Sequence, residues 1–159
     1  MGEEHDGLPR VDERLTVVGA APEEVLRALE ETLERSFGRP AATRYAALVG
    51  CAERTAGGPR PFVEGSTLPG FRVARVVADR EVVLTGRHRF STYALLFRIE
   101  PLGPGRSRLR AETRAVFPGP TGRAYRLAVI RGGGHAVGVR RLLAAVRRRA
   151  EAGRPPGAG

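Results

Sequence analysis

The 159 residues are enough for one domain with a sizeable core, and 42% hydrophobic with 28% charged residues is the balance of a soluble globular chain. No apolar run reaches the ~20 residues that a membrane-spanning helix needs. The lone Cys51 excludes a disulfide framework and a thiolate metal cluster, and the acidic start MGEEHDGLPR lacks the apolar stretch of a secretory signal, so the sequence predicts a cytoplasmic protein.

The net charge of +10 is unevenly spread. All 27 basic residues are Arg, and Lys, Asn and Gln are absent, a bias that a GC-rich genome accounts for. The excess over acids is a separate matter: residues 1–40 carry a net −5, residues 41–120 a net +7 and residues 121–159 a net +8. Such polarity suits an anionic partner, or two ends that neutralise each other in space.

In chain order, RLTVV (14–18) is β-rich and alternates, which predicts a strand. GAAPEEVLRALEETLERSF follows, with Pro22 suited to a first helical turn and Glu23 and Glu24 to its positive end. Val25, Leu26, Leu29 and Leu33 fall at helical spacing, and GRP at 38–40 stops the helix. Residues 41–54 predict a second helix, and TAGGPRP a loop. From Pro61 the texture turns to strands: PFVEG (61–65), FRVARVV (71–77), EVVLTGR (81–87), STYALLFRIE (91–100) and RLRAETRAVF (108–117). In the last, Leu109, Ala111, Thr113, Ala115 and Phe117 share one face and Arg108, Arg110, Glu112 and Arg114 the other, so one face is expected to be buried and one to meet water. Thr121 can cap a helix running from 123 to about 151, ~43 Å long. Its apolar stripe is Tyr125, Val129, Gly132, Ala136, Val139, Leu143, Val146 and Ala150.

The chain therefore divides into a disordered tail over 1–12, a single domain over 13–151 and a disordered tail over 152–159. The layout is α+β: a strand, short helices, a run of antiparallel strands and a long C-terminal helix. The order resembles the helix-grip fold of the START/Bet v 1-like (SRPBCC) superfamily, which includes polyketide cyclases and lipid-transfer domains. The segments that carry the resemblance are LTVVGAAPEEVLRAL, the central LTGRHRFSTYALLFRIEPLGPGRSRLRAETRAVFPGPTGRAYRLAV and the closing GGGHAVGVRRLLAAVRRRAE. They are similar to an uncharacterised bacterial branch, and residues 38–60 depart from its pattern. The resemblance implies a curved antiparallel sheet wrapped around the last helix, with an apolar cavity between them.

On that reading, Gly132 at the centre of the inward stripe leaves room for a ligand or a close strand. Gly133 and Gly134 project elsewhere, and a kink, a short break, or a surface loop joining two shorter helices explains them. Tyr93, Leu95 and Phe97 share a strand face, and with Ala111, Thr113, Tyr125, Val129, Gly132, His135 and Ala136 they form the expected ligand-binding set. His135 is either a cavity donor or base, or a residue bonding a backbone carbonyl at the kink. His88, between Arg87 and Arg89, is expected to stay neutral beside two positive charges, at an anion-receiving rim or in a solvated turn. The buried hydroxyl of Tyr93 needs a partner, from a ligand or from the protein.

The leading expectation is a protein that binds a small apolar or aromatic molecule between sheet and last helix. The alternative is a cyclase- or dehydratase-type enzyme in which His135, Tyr93 or His88 moves protons. A third is a basic surface module for nucleic acid or anionic membrane, which RRLLAAVRRRAEAGR invites but which no nucleic-acid signature accompanies. No metal-ligand spacing, phosphate loop or dinucleotide fingerprint is present, so no metal and no cofactor are expected.

Overall fold

The computed structural model describes residues 5–153; residues 1–4 and 154–159, parts of the two expected tails, lie outside them. Strand β1 (Arg10–Val18) leads into α1 (Pro22–Phe37) and α2 (Pro40–Val49). A long loop then reaches β2 (Thr67–Leu68), β3 (Phe71–Val77), β4 (Glu81–His88), β5 (Ser91–Gly103) and β6 (Arg106–Val116). The chain ends in α3 (Gly119–Arg126), a π-helical turn (Leu127–Arg131) and α4 (Gly134–Ala152). The six strands form one antiparallel sheet in the order β1-β6-β5-β4-β3-β2. The sheet, the helices after the first strand and the closing helix against the sheet make a helix-grip fold of the α+β class.

Each element follows from local chemistry. Helix α1 opens with Pro22, and Glu24 reaches back to accept the Ala21 N–H at 3.1 Å, so orphan donors of the first turn are met. It buries Val25, Ala28, Leu29 and Leu33 against the sheet. Helix α2 ends at Val49, five residues before the expected boundary, because Gly50 takes a φ of 72°. The inner sheet face gives Leu84, Phe97, Ile99 and Leu109 to the same core, and α4 adds Val139, Leu143, Val146 and Ala150. A fully buried side chain of this kind contributes ~1.5–3 kcal/mol. Polar ties fix the closing helix: the Gly19 N–H donates to Glu151 at 2.9 Å, and Arg149 donates to the Thr32 hydroxyl of α1 at 2.8 Å.

Several expectations are corrected. Strand β1 begins at Arg10, so the expected domain start at residue 13 falls inside a paired strand. PFVEG is not a strand; the short edge strand is Thr67–Leu68, because Gly57 bridges to Thr67 and the loop before it folds on itself. The outer sheet face is partly covered: Val83, Ala94 and Leu96 are buried with Leu8 and Ala74 packed on them. Glu112, expected on a solvated face, is only 2% exposed among Arg10, Arg98 and Arg114. The single 29-residue helix is broken. Gly133 adopts φ 77°, a conformation that costs other L-residues ~1–2 kcal/mol, and α4 starts only after it, with 19 residues and a length of ~28 Å. Thr121 does not cap the upstream helix, whose N-cap is Pro118.

Candidate functional site

The break shapes the site. Because the chain changes direction at Gly133, α3 and the π turn do not continue the line of α4. A cavity of about 1000 Å³ lies between α4, α2 and the inner face of β4, β5 and β6. Its walls are mostly apolar, with Phe37, Phe71, Leu95, Phe117, Val129 and Leu142 among them. Lining residues that are themselves exposed, such as Arg39, Tyr45 and Gly138, mark its opening.

One end is aromatic. The two-residue turn between β4 and β5 lets the Phe90 N–H donate to His88 Nδ1 at 3.1 Å. In the neutral ring Nδ1 is then the acceptor, and the proton sits on Nε2. The imidazole stands among Tyr125, Tyr93 and Phe90, at ring-centroid distances of 4.9, 5.4 and 5.9 Å. Burial holds its pKa below the usual imidazole value. The flanking Arg87 and Arg89 were the expected cause; both side chains are exposed, and desolvation accounts for the shift. His88 Nε2 has no hydrogen-bond partner among the described residues, and the residue lines the cavity.

Tyr93 is pinned by the protein. Its hydroxyl donates to the Gly70 carbonyl at 2.6 Å and lies 3.8 Å from Cys51 Sγ. Burial raises both the phenol and the Cys51 thiol above their ordinary values. The ring fits only because its cross-strand partner is Gly86: a Cβ there would lie 2.4 Å from the Tyr93 ring and 2.3 Å from the Gly70 oxygen. Tyr125 stacks on Phe90 at 5.4 Å and 16°, and its hydroxyl meets that of Tyr45 from α2. Burial raises the Tyr125 pKa as well.

On the other wall, His135 Nε2 and the buried Thr113 hydroxyl are 3.0 Å apart, which joins the first turn of α4 to β6. The partner is therefore a hydroxyl, not the backbone carbonyl considered for a kinked helix. Burial again keeps the imidazole below its usual pKa.

The structure brings Tyr93, Leu95, Thr113, Tyr125, Val129, His135 and His88 to the cavity wall. Four members of the expected set lie elsewhere. Phe97 and Ala111 belong to the packed core next to the cavity. Gly132 is exposed at the end of the π turn, where a Cβ would press on the Ala128 carbonyl at 2.4 Å. Ala136 is half-buried outside the lining. Both of the last two lie at the break, Gly132 where the π turn ends and Ala136 in the first turn of α4; beyond it the expected stripe of Val139, Leu143, Val146 and Ala150 is buried. Gly133 supplies that break and Gly132 a close approach; nothing in the structure requires glycine at 134. The residue on α4 that does leave open space is Gly138, whose absent Cβ would meet nothing within 4 Å.

Several wall residues carried no sequence signal. Cys51 and Gly70 arrive at the two ends of a loop without periodicity, held by Ala52 N–H to Arg87 O and Gly70 N–H to Glu53 O bonds of 2.9 and 2.8 Å. Gly70 has a φ of 90°, which its position in a Pro-Gly pair does signal. Among the described residues no three His, Cys, Asp or Glu side chains gather as a metal site, and no helix is long and apolar enough to cross a membrane.

Fold and site together define a helix-grip domain with an apolar, aromatic-ended cavity. No protein-family profile matches the chain, and no curated protein is similar to it. Solved structures share the architecture. A conserved protein from Geobacillus kaustophilus is 13% identical at a TM-score of 0.53, over 87% of this chain and 93% of that one. The Mll3558 protein of Rhizobium loti is 18% identical at 0.52, over 87% and 94%. A protein from Arthrobacter aurescens is 13% identical at 0.53, over 84% of both. At such identities the likeness shows a shared fold alone.

Proposed function

We propose that this protein is a cytoplasmic member of the START/Bet v 1-like superfamily that binds a small apolar or aromatic molecule in the cavity between the sheet and α4. The observation that carries the reading is the composition of the wall: a continuous apolar surface with a few convergent polar groups, at a volume suited to a small-molecule ligand. The test is a fluorescence titration with N-phenyl-1-naphthylamine, an uncharged apolar probe, at low and high salt. Saturable one-to-one binding that survives salt supports the reading. Absence of saturable binding overturns it, and association with nucleic acid or anionic vesicles that vanishes in salt would favour the basic surface instead.

A second reading, an enzyme of the cyclase or dehydratase kind, rests on His88. Tyr93 spends its hydroxyl on Gly70, and each histidine spends one ring nitrogen on the protein, but His88 is the one that stands within the aromatic end, with its Nε2 unpaired there. Such a nitrogen can exchange a proton with a bound molecule. Diethyl pyrocarbonate should modify His88, and bound N-phenyl-1-naphthylamine should protect it. An unreactive His88 in the free protein removes this reading.

A further inference from the structure

We infer that the molecule held in the cavity is an amphipathic anion, with its apolar body among the aromatic side chains and its charged group at Arg39, Arg141 and Arg148. The inference rests on the binding reading above and adds the chemistry of the ligand's polar end.

Three observations carry it. First, the charged residues bordering the cavity are all of one sign: Arg39, Arg141 and Arg148 line it, and no Asp or Glu does. Secondly, the side chains of these three make no ion pair or hydrogen bond among the described residues. Their neighbours on α4 behave differently: Arg147 pairs with Glu151 at 3.1 Å, and Arg149 lies 3.5 Å from Glu31. Other arginines of this basic chain are also unpaired, but on open surface; these border an apolar space. Thirdly, the three border the cavity from two elements of the fold. Arg141 and Arg148 are seven residues apart on α4, two turns on one side of the helix and ~10 Å along its axis. Arg39 stands across the opening as the residue preceding α2, whose first turn carries no acid.

An apolar neutral ligand would leave this cluster without a partner. A cation would be repelled by it. A molecule with an apolar body and a carboxylate, sulfonate or phosphate satisfies both ends, because guanidinium groups bind such oxygens by charge-assisted, often bidentate bonds. All three side chains are exposed, so water screens them and the gain per contact is modest. The aromatic end supplies body affinity, and the arginines supply selection for charge and orientation.

The test uses two probes with one ring skeleton, N-phenyl-1-naphthylamine and 8-anilinonaphthalene-1-sulfonate, which differ by the sulfonate. In the wild-type protein the sulfonate should bind about tenfold more tightly than the amine. In Arg141→Gln/Arg148→Gln that advantage should disappear, while affinity for the amine stays within about twofold. Arg39→Gln, on a different element, should remove part of it. Arg131→Gln/Arg140→Gln removes the same charge from exposed positions outside the lining and should change neither affinity by more than about twofold. The inference is overturned if the two probes bind the wild type equally, or if the control pair costs the sulfonate as much as the cavity pair. Binding of the amine alone overturns the anion inference and leaves the cavity reading standing. Failure of both probes overturns both.

Discussion

Filling the cavity from α4 should raise stability and weaken binding in one variant, a combination that ordinary core substitutions do not give. Gly138 lines the cavity, sits within a regular helix, and would place a Cβ with no neighbour inside 4 Å. Glycine in a helix interior is ~1 kcal/mol less favourable than Ala, and Phe about half as unfavourable. Gly138→Phe therefore gains ~0.5 kcal/mol from propensity alone, or ~1–2 °C in Tm for a chain of this size. In a packed core the same enlargement costs ~1–3 kcal/mol. The ring also displaces part of a bound probe. If it excludes about three methylene-sized contacts at ~0.8 kcal/mol each, affinity falls about fiftyfold. Gly138→Ala separates the effects: it should gain up to ~1 kcal/mol, ~2–4 °C in Tm, and scarcely change affinity. The assays are thermal unfolding by circular dichroism and titration with N-phenyl-1-naphthylamine. Unchanged affinity in Gly138→Phe would show that the probe does not occupy this part of the cavity. A lower Tm in Gly138→Ala would show that the space beside residue 138 is occupied.

Gly86→Ala should lose at least ~1–3 kcal/mol in urea unfolding, because the new Cβ meets both the Gly70 backbone and the Tyr93 ring; a neutral result would mean that the β4–β5 pairing places Tyr93 elsewhere. Tyr93→Phe should cost ~1–3 kcal/mol by leaving the buried Gly70 carbonyl without its donor, and an unchanged urea midpoint would show that water replaces the hydroxyl. Burial holds His88 and His135 below the usual imidazole pKa. The unfolded chain thus takes up protons that the folded chain refuses, and stability should fall as pH drops below about 6.5. His88→Gln/His135→Gln should flatten urea midpoints between about pH 8 and pH 5, and an identical slope would refute the assignment. The Arg10, Arg98 and Arg114 guanidiniums, with a hydrogen bond from Arg114, outweigh burial and hold Glu112 below the usual carboxylate pKa. Its contribution is present above about pH 4.5 and lost as pH falls through the lower folded value, so Glu112→Gln should remove acid sensitivity only in that range.

The sheet and α1 were legible because each rests on a period-2 or period-3.6 pattern that burial enforces locally. The alternation from Leu109 to Phe117 and the spacing of Val25, Leu29 and Leu33 specify faces without reference to the rest of the chain. The inner wall residues Tyr93, Leu95 and Thr113 followed from those faces. Where the reading failed, the deciding contact was distant in sequence. Cys51 and Gly70 reach the cavity through loop bonds to Arg87 and Glu53, which no local period encodes. Covering of the outer face depends on Leu8 folding back over Ala94 and Leu96, far along the chain. The GGGH segment was read as special, but its phase was not recoverable. The left-handed residue Gly133 interrupts the helix there, while the stripe beyond it, Val139, Leu143, Val146 and Ala150, faces the core as expected, and the open position on the cavity side is Gly138.

Helix α4 itself argues that the space is retained and not a packing failure. Toward the core it presents Val139, Leu143 and Val146, residues of full size that are 8% exposed or less. Toward the cavity it presents the small Gly138, Ala144 and Ala145 beside Leu142 and the edge of Val139, and α2 faces them with Ala41, Ala42 and Ala46 beside Tyr45. Both faces belong to one helix made from the same composition, so the difference in volume is positional. Each methylene added on the cavity side could gain ~0.8 kcal/mol by leaving water. A chain optimised for stability alone would carry Leu or Val at several of these six positions. Small residues on two facing helices, above a floor pinned at Tyr93 by the Gly86 notch, hold the volume open at the expense of stability that larger side chains would supply. That pattern is expected of a wall shaped around a guest, and it predicts that a bound ligand stabilises the fold by mass action in proportion to its affinity.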